Sequence, residues 1–150
     1  MIANENTDQS FLSLDYSLYY KIGVQEHGFY EGYEYAICVN NHNPCCYIFL
    51  KKGDPYWEYT NYDSINIPIH GGVTYLSSML SFQKRHNLTP MIARTESVMG
   101  WDYAHLGDYS LFLQGNDSYT MVWTLEDLRE EVKKAIKFLL KYNKWKGIYG

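Results

Sequence analysis

The stretch Tyr33-Glu34-Tyr35-Ala36-Ile37-Cys38-Val39-Asn40-Asn41-His42-Asn43-Pro44-Cys45-Cys46-Tyr47-Ile48-Phe49-Leu50 decides how this chain folds. Tyr33 to Val39 alternates with the period of a strand. Asn40 to Pro44 is made of turn formers, and Cys45 to Leu50 returns as an almost unbroken apolar run. Together they predict a β-hairpin with a five-residue connection. Gly53-Asp54-Pro55 ends it.

Toward the N-terminus, Leu12, Leu14, Tyr16, Leu18, Tyr20, Ile22 and Val24 occupy every second position, with mostly polar residues between them. That period predicts a long half-buried strand over Leu12–Val24. Gln25 to Gly32 reads as a loop punctuated by Gly28 and Gly32. Residues 1–10 read as a flexible tail ahead of a single domain spanning 11–150. Toward the C-terminus, Tyr56–Asn66 reads as a loop, Val73–Leu80 as a short strand and Ser81–Pro90 as a polar connection. Met91–Met99 leads into a glycine-rich motif, and Gln114–Ser118 is a turn-rich loop.

Thr124 opens the clearest element. Asp127 stands three residues on, where a capping box places its reciprocal acceptor. Leu125, Leu128, Val132, Ala135, Ile136 and Leu139 then mark one face at helical spacing. Acidic residues come early and lysines late, which complements the helix dipole, and Gly147 is the expected stop. The fold class is therefore α+β: an antiparallel-rich sheet of about four to six strands with the Thr124–Lys144 helix packed on one face.

Composition narrows the function. The net charge is −4, and the only arginines are Arg85, Arg94 and Arg129. Without a basic face, nucleic acid is not expected as a main partner; the lysines from Lys133 to Lys146 are explained by the dipole. Cys38, Cys45 and Cys46 form neither an even disulfide framework nor a zinc spacing. The polar N-terminus lacks a signal-peptide core, and no apolar run approaches the roughly 18 residues of a membrane span. A protein of the reduced cytosol, off the membrane, is expected. Sixteen tyrosines against six phenylalanines suit a half-buried sheet, and their surface is compatible with a homo-oligomer.

Two polar motifs carry the chemistry. The first is Ile69-His70-Gly71-Gly72-Val73-Thr74-Tyr75. The second is Gly100-Trp101-Asp102-Tyr103-Ala104-His105-Leu106-Gly107-Asp108-Tyr109. Each has a plain structural reading, as a tight turn before a strand or as a buried Asp–His pair. Asp102, His105 and Asp108 recur every third residue, so they converge if the chain turns after Ala104. His70, Asp102 and His105 are then expected to meet in one cluster with Asp108 at its rim and Thr74 nearby. Gly71 and Gly72 allow close approach, and Tyr75, Trp101 and Tyr103 wall the pocket. Two histidines and two carboxylates suit a divalent metal or general acid–base catalysis.

These motifs resemble a family of small phage and bacterial proteins. Its members carry a similar hairpin, a Tyr-Asp pair, a His-Gly-Gly-x-Thr motif and a Gly-x-Asp-x-Ala-His-x-Gly-Asp motif. The matching residues here are Tyr62-Asp63, His70-Gly71-Gly72-Val73-Thr74 and Gly100 to Asp108, in the same order over residues 33–142. Two positions depart: Tyr103 stands where many relatives have cysteine, and Asp54 where they have a histidine. The resemblance implies a phage-type accessory protein in the bacterial host cytosol, binding a small polar ligand or a host protein and countering host defence. The motifs themselves also admit a small metal-dependent hydrolase acting on a phosphoester or nucleotide, and a purely structural domain.

Overall fold

Asn41 and His42 both adopt positive φ (+52° and +62°), and this two-residue reversal sets the register of the central hairpin. The connection is thus two residues, not five. Asparagine tolerates the left-handed region, so the strands continue right up to the turn. The computed structural model describes residues 14–50, 54, 67–86, 88, 97–105, 107–110 and 120–149. The expected tail (1–10), the 56–66 loop with Tyr62-Asp63, and the 114–118 turn lie outside the described residues.

A 3-10 turn at Ser17–Tyr20 precedes five strands and two helices. These are β1 (Gly23–Tyr30), β2 (Tyr33–Asn40), β3 (Asn43–Leu50), β4 (Tyr75–Ser78), α1 (Met79–His86), β5 (Ser97–Asp102) and α2 (Leu125–Tyr149). The strands form one antiparallel sheet in the order β1-β2-β3-β5-β4. The fold is α+β, with the C-terminal helix packed on the sheet.

Strand alternation divides the core. Tyr33, Tyr35, Ile37 and Val39 of β2 share one face with Cys46, Ile48 and Leu50 of β3 and with Met99 and Trp101 of β5. Against that face lie Leu128, Val132, Ala135, Ile136 and Leu139 of α2, all fully buried. The opposite face carries Ala36, Cys38, Cys45, Tyr47, Phe49 and Val98, closed by Phe82 of α1. Gly100 belongs to this second face. A Cβ there would come within 2.6 Å of the Tyr47 ring and 2.7 Å of the Cys46 carbonyl. Its bare backbone is covered instead by Tyr47 and Tyr75, which meet edge to face at 5.2 Å.

Several expectations need correction. The Leu12–Val24 strand is not formed over residues 14–22, and only Gly23 and Val24 of it join β1: Asp15 Oδ1 accepts the Ser17 N–H, and the chain coils through Tyr16–Lys21. The polar residues that gave the alternation are turn formers here, and consecutive Leu18 and Tyr19 are both buried. Conversely, the supposed loop at Gln25–Gly32 is mostly strand β1. Gly28 is no turn: it pairs with Tyr35, and a Cβ there would lie 3.1 Å from the Tyr35 hydroxyl. The reversal sits at Glu31-Gly32, with φ of +49° and +81°. The Val73–Leu80 strand is shorter than expected, and α1 occupies part of the supposed 81–90 connection. Ser78 Oγ accepts the Ser81 N–H at that helix's start, while Lys84, Arg85 and His86 fill its last turn. The Thr124–Asp127 capping box is formed by reciprocal bonds of 3.0 and 3.2 Å. Gly147 does not stop α2, which runs through it to Tyr149.

Arg129 ties α2 to the edge strand through Glu26, with Nη2 to Oε1 at 2.5 Å and Nε to Oε2 at 2.9 Å. That guanidinium, with the Tyr35 hydroxyl, holds the Glu26 carboxyl below its ordinary range against the cost of burial. A depressed carboxyl contributes stability above its unfolded pKa of about 4.3 and loses it as pH falls through the folded value. Urea midpoints are therefore expected to drop on acidification below about pH 4, and to drop less steeply in Glu26→Gln. Equal slopes for the two proteins would remove Glu26 from the acid response.

Candidate metal centre

The chain reverses at Ile69–Gly72, where the Gly72 N–H reaches the Ile69 carbonyl at 3.0 Å. Gly71 has φ of +69°, which suits the third position of a type II turn. The turn raises His70 beside the end of β5. There the Tyr103 N–H bonds the Pro44 carbonyl, and the chain leaves the sheet to form a second turn, closed by Asp108 N–H to the His105 carbonyl at 2.9 Å. Asp108 is then fixed by pairing with Met121, just before α2.

Asp108 is the hub of the cluster. One oxygen, Oδ2, accepts from His70 Nε2 at 2.8 Å and from the His105 backbone N–H at 3.0 Å. The other, Oδ1, accepts from the Trp123 indole at 2.9 Å. The Asp108 side chain is only 2% exposed, against 40% for Asp102. Burial pushes the Asp108 carboxyl up, but the three donors together outweigh it and hold the carboxyl below its ordinary value. Asp108 is thus a buried carboxylate at the centre, not a rim residue, and Asp102 takes the rim. The reason is the exit of the chain at Tyr103, which leaves Asp102 on the last, open position of β5.

His105 stands between the two carboxylates. Its Nδ1 lies 3.4 Å from Asp108 Oδ2, and its Nε2 lies 3.7 Å from Asp102 Oδ1. Nδ1 is shut off from solvent yet makes no hydrogen bond. Asp102 is itself oriented by the Thr74 hydroxyl at 3.0 Å and by the Ala104 N–H at 3.2 Å. One ligand atom each from His70, His105 and Asp108 lies within 4.8 Å of the others. Such a set of two imidazoles and one carboxylate has the composition of a divalent transition-metal site. The Trp123 indole behind Asp108 supplies an outer hydrogen bond that fixes ligand orientation, while Asp102 stands 3.7 Å from His105 Nε2 without a hydrogen bond to it.

The walls differ from expectation. Tyr103 does line the cluster, its ring stacked on His70 at 5.0 Å with the planes 1° apart. Trp101 is core: it is fully buried, and its indole donates to the Tyr103 hydroxyl at 2.9 Å. Tyr75 lies on the other face of the sheet, against Tyr47. Trp123, which no motif marked, closes the third side, 4.9 Å from His70. Its only signal was an aromatic immediately before the Thr124 cap. Glu131 was also unmarked; its carboxylate accepts the His70 backbone N–H at 3.2 Å. The cysteines take no part. All three are buried, and burial pushes their thiols up, Cys45 to about 11, so none is a ready thiolate.

The two glycines have separate duties. A Cβ on Gly71 would fall 2.3 Å from His105 Cε1, whereas one on Gly72 would meet nothing within 4 Å. Gly71→Ala is expected to expel His105 from its place and to cost about 1–3 kcal/mol through strain and overpacking. Gly72→Ala should carry the backbone strain alone. Histidine ring resonances followed by NMR would check this; an unmoved His105 in Gly71→Ala would contradict the placement.

No family model, curated protein or solved structure matches the chain. Among the described residues, no helix is long and apolar enough to cross a membrane.

Proposed function

We propose that this protein is a small metal-dependent hydrolase in which His70, His105 and Asp108 hold one divalent ion of the zinc class. The observation that carries the reading is His105 Nδ1, buried without a hydrogen bond and 3.4 Å from the Asp108 carboxylate. A buried nitrogen lone pair or N–H without a partner is costly, and a metal ion satisfies a lone pair directly. When bound, such an ion supplies Lewis-acid activation of water at neutral pH. The chain's own residues do the rest. Asp108 sets its carboxylate between the two imidazoles, Thr74 steadies Asp102 near His105 Nε2, and the Trp123 indole keeps Asp108 Oδ2 turned toward the histidines.

A phosphoester or nucleotide is the substrate class best served by the surroundings. Trp123, Asp127 and the first turns of α2 line a hollow of about 560 Å³ that carries Lys133, Lys134 and Lys137. Lys133 and Lys134 balance Glu130 and Glu131 within about 4 Å, while Lys137 has no ion-pair partner among the described residues. A second reading has its own support. Asp108 already has three donors and braces three segments without an ion, as befits a phage-type accessory protein that binds a small polar ligand or a host protein in the bacterial cytosol.

Metal analysis and zinc titration by calorimetry separate the two. The hydrolase reading expects about one ion per chain, lost in Asp108→Asn, with a melting temperature lowered by EDTA. Protein that takes up no ion, and whose melting is indifferent to EDTA, would leave the accessory reading in its place.

A further inference from the structure

β1 is the outer strand of the sheet, and its edge is poorly guarded. Gly23–Tyr30 contains no proline and no lysine, the residues that commonly stop an edge from pairing, and Phe29 on it is 46% exposed. The register shows where its backbone groups point. Glu31 and Gly32, both at positive φ, form a two-residue reversal, so the flanking Tyr30 and Tyr33 exchange their backbone hydrogen bonds. By alternation Gly28 and Glu26 also bond inward to β2, while the N–H and C=O groups of His27 and Phe29 point outward. Among the described residues no strand pairs with them. A bulge at Gln25 breaks the ladder between Val24 and Glu26. The regular edge is therefore Glu26 to Tyr30, with Gly28 at its centre.

We propose that this edge pairs with the same edge of a second copy of the chain, antiparallel across a two-fold axis at Gly28, joining the two sheets into one. In that register Gly28 faces Gly28 of the second copy, His27 faces Phe29 and Glu26 faces Tyr30. The outward groups of His27 and Phe29 then satisfy one another. Two features favour a second copy over a foreign strand. Exposed Phe29 is covered by the His27 ring of the other copy, which is already fixed by its bond to buried Glu34. On the face that carries α2, Lys133 Nζ stands 5.6 Å from the Tyr30 ring centre, and Tyr30 faces Glu26 of the second copy. A cation of each chain is thus brought toward a carboxylate of the other, twice by symmetry. An axis at His27 would instead set Phe29 against the bulged Gln25 and lose this match. The helices leave room for the pairing, since α2 packs mainly over β2 and β3, and Phe82 of α1 over Tyr47 and Phe49 of β3. The contact is small beside the roughly 1,600 Å² of a standard interface, so a dissociation constant on the order of 100 µM is expected.

Sedimentation velocity and amide exchange by NMR, from about 10 µM to about 1 mM protein, test the proposal. The sedimentation coefficient is expected to rise from monomer toward dimer across that range. The His27 and Phe29 amides should gain protection in step with it, whereas the Glu26 and Gly28 amides, bonded within the chain, should not change. Phe29→Lys, at an exposed position, should raise the dissociation constant about tenfold or more, and Phe29→Tyr should leave it within about twofold. Lys133→Glu should weaken association as well, by setting like charges together. Circular dichroism checks that each variant keeps the parent fold. A chain that stays monomeric at the highest concentration, leaving the edge to a foreign strand, would overturn the proposal. So would a dimer whose His27 and Phe29 amides stay unprotected, or a folded Phe29→Lys protein that associates as the parent does. None of these readouts involves His70, His105 or Asp108, so a failure here is distinct from a failure of the hydrolase reading.

Discussion

Asp108→Ala is expected to destabilise the protein by about 3 kcal/mol, the largest effect of any single change at the site. The substitution strands three donors at once: His70 Nε2, the His105 N–H and the Trp123 indole. Those donors come from three separate segments, so their loss also loosens the junction between the Ile69–Gly72 turn, the end of β5 and the start of α2. Urea unfolding with EDTA present isolates this structural part from any contribution of bound metal. Asp102→Ala, at a half-buried position, should cost under about 1 kcal/mol in the same experiment. If the two substitutions cost the same, Asp108 is not the hub.

Ile136→Ala is expected to cost about 2–4 kcal/mol. Ile136 is fully buried in the middle of the apolar stripe that α2 lays on the sheet, flanked by Val132 and Leu139. Removing its outer carbons leaves a cavity that neighbours on a paired sheet cannot readily fill. Exposed Lys137, one residue on, is the control, and its replacement by Ala should be nearly neutral. A loss below about 0.5 kcal/mol for Ile136→Ala would mean that α2 does not seal this face.

The parts of the fold that were legible in the sequence are those where local chemistry and burial agree. β2 and β3 are buried on both faces and read as apolar strands, and α2 carries both a stripe and a capping box. β1 was misread because an edge strand has no sharp inside and outside. All its described residues are half-buried except exposed Phe29, so no alternation marks it. The Leu12–Val24 alternation misled for the opposite reason, since Asp15 and Ser17 bond to each other locally and turn the chain. At the site, the two motifs named His70, Asp102, His105 and Asp108, which the structure does bring together. The exchange of roles between Asp102 and Asp108 was not legible, because exposure there depends on where β5 ends. Trp123 was invisible to motif reading, since its contact with Asp108 joins residues fifteen apart across a turn.

His105 touches both sides of the sheet end, with Nδ1 toward Asp108 and Nε2 toward Asp102. A single imidazole in that position links the open carboxylate to the buried one. An ion held at Nδ1 and a cation paired with Asp102 would act through the same ring. Coupling of this kind is reciprocal: whatever factor one occupant imposes on the affinity of the other is imposed back on it.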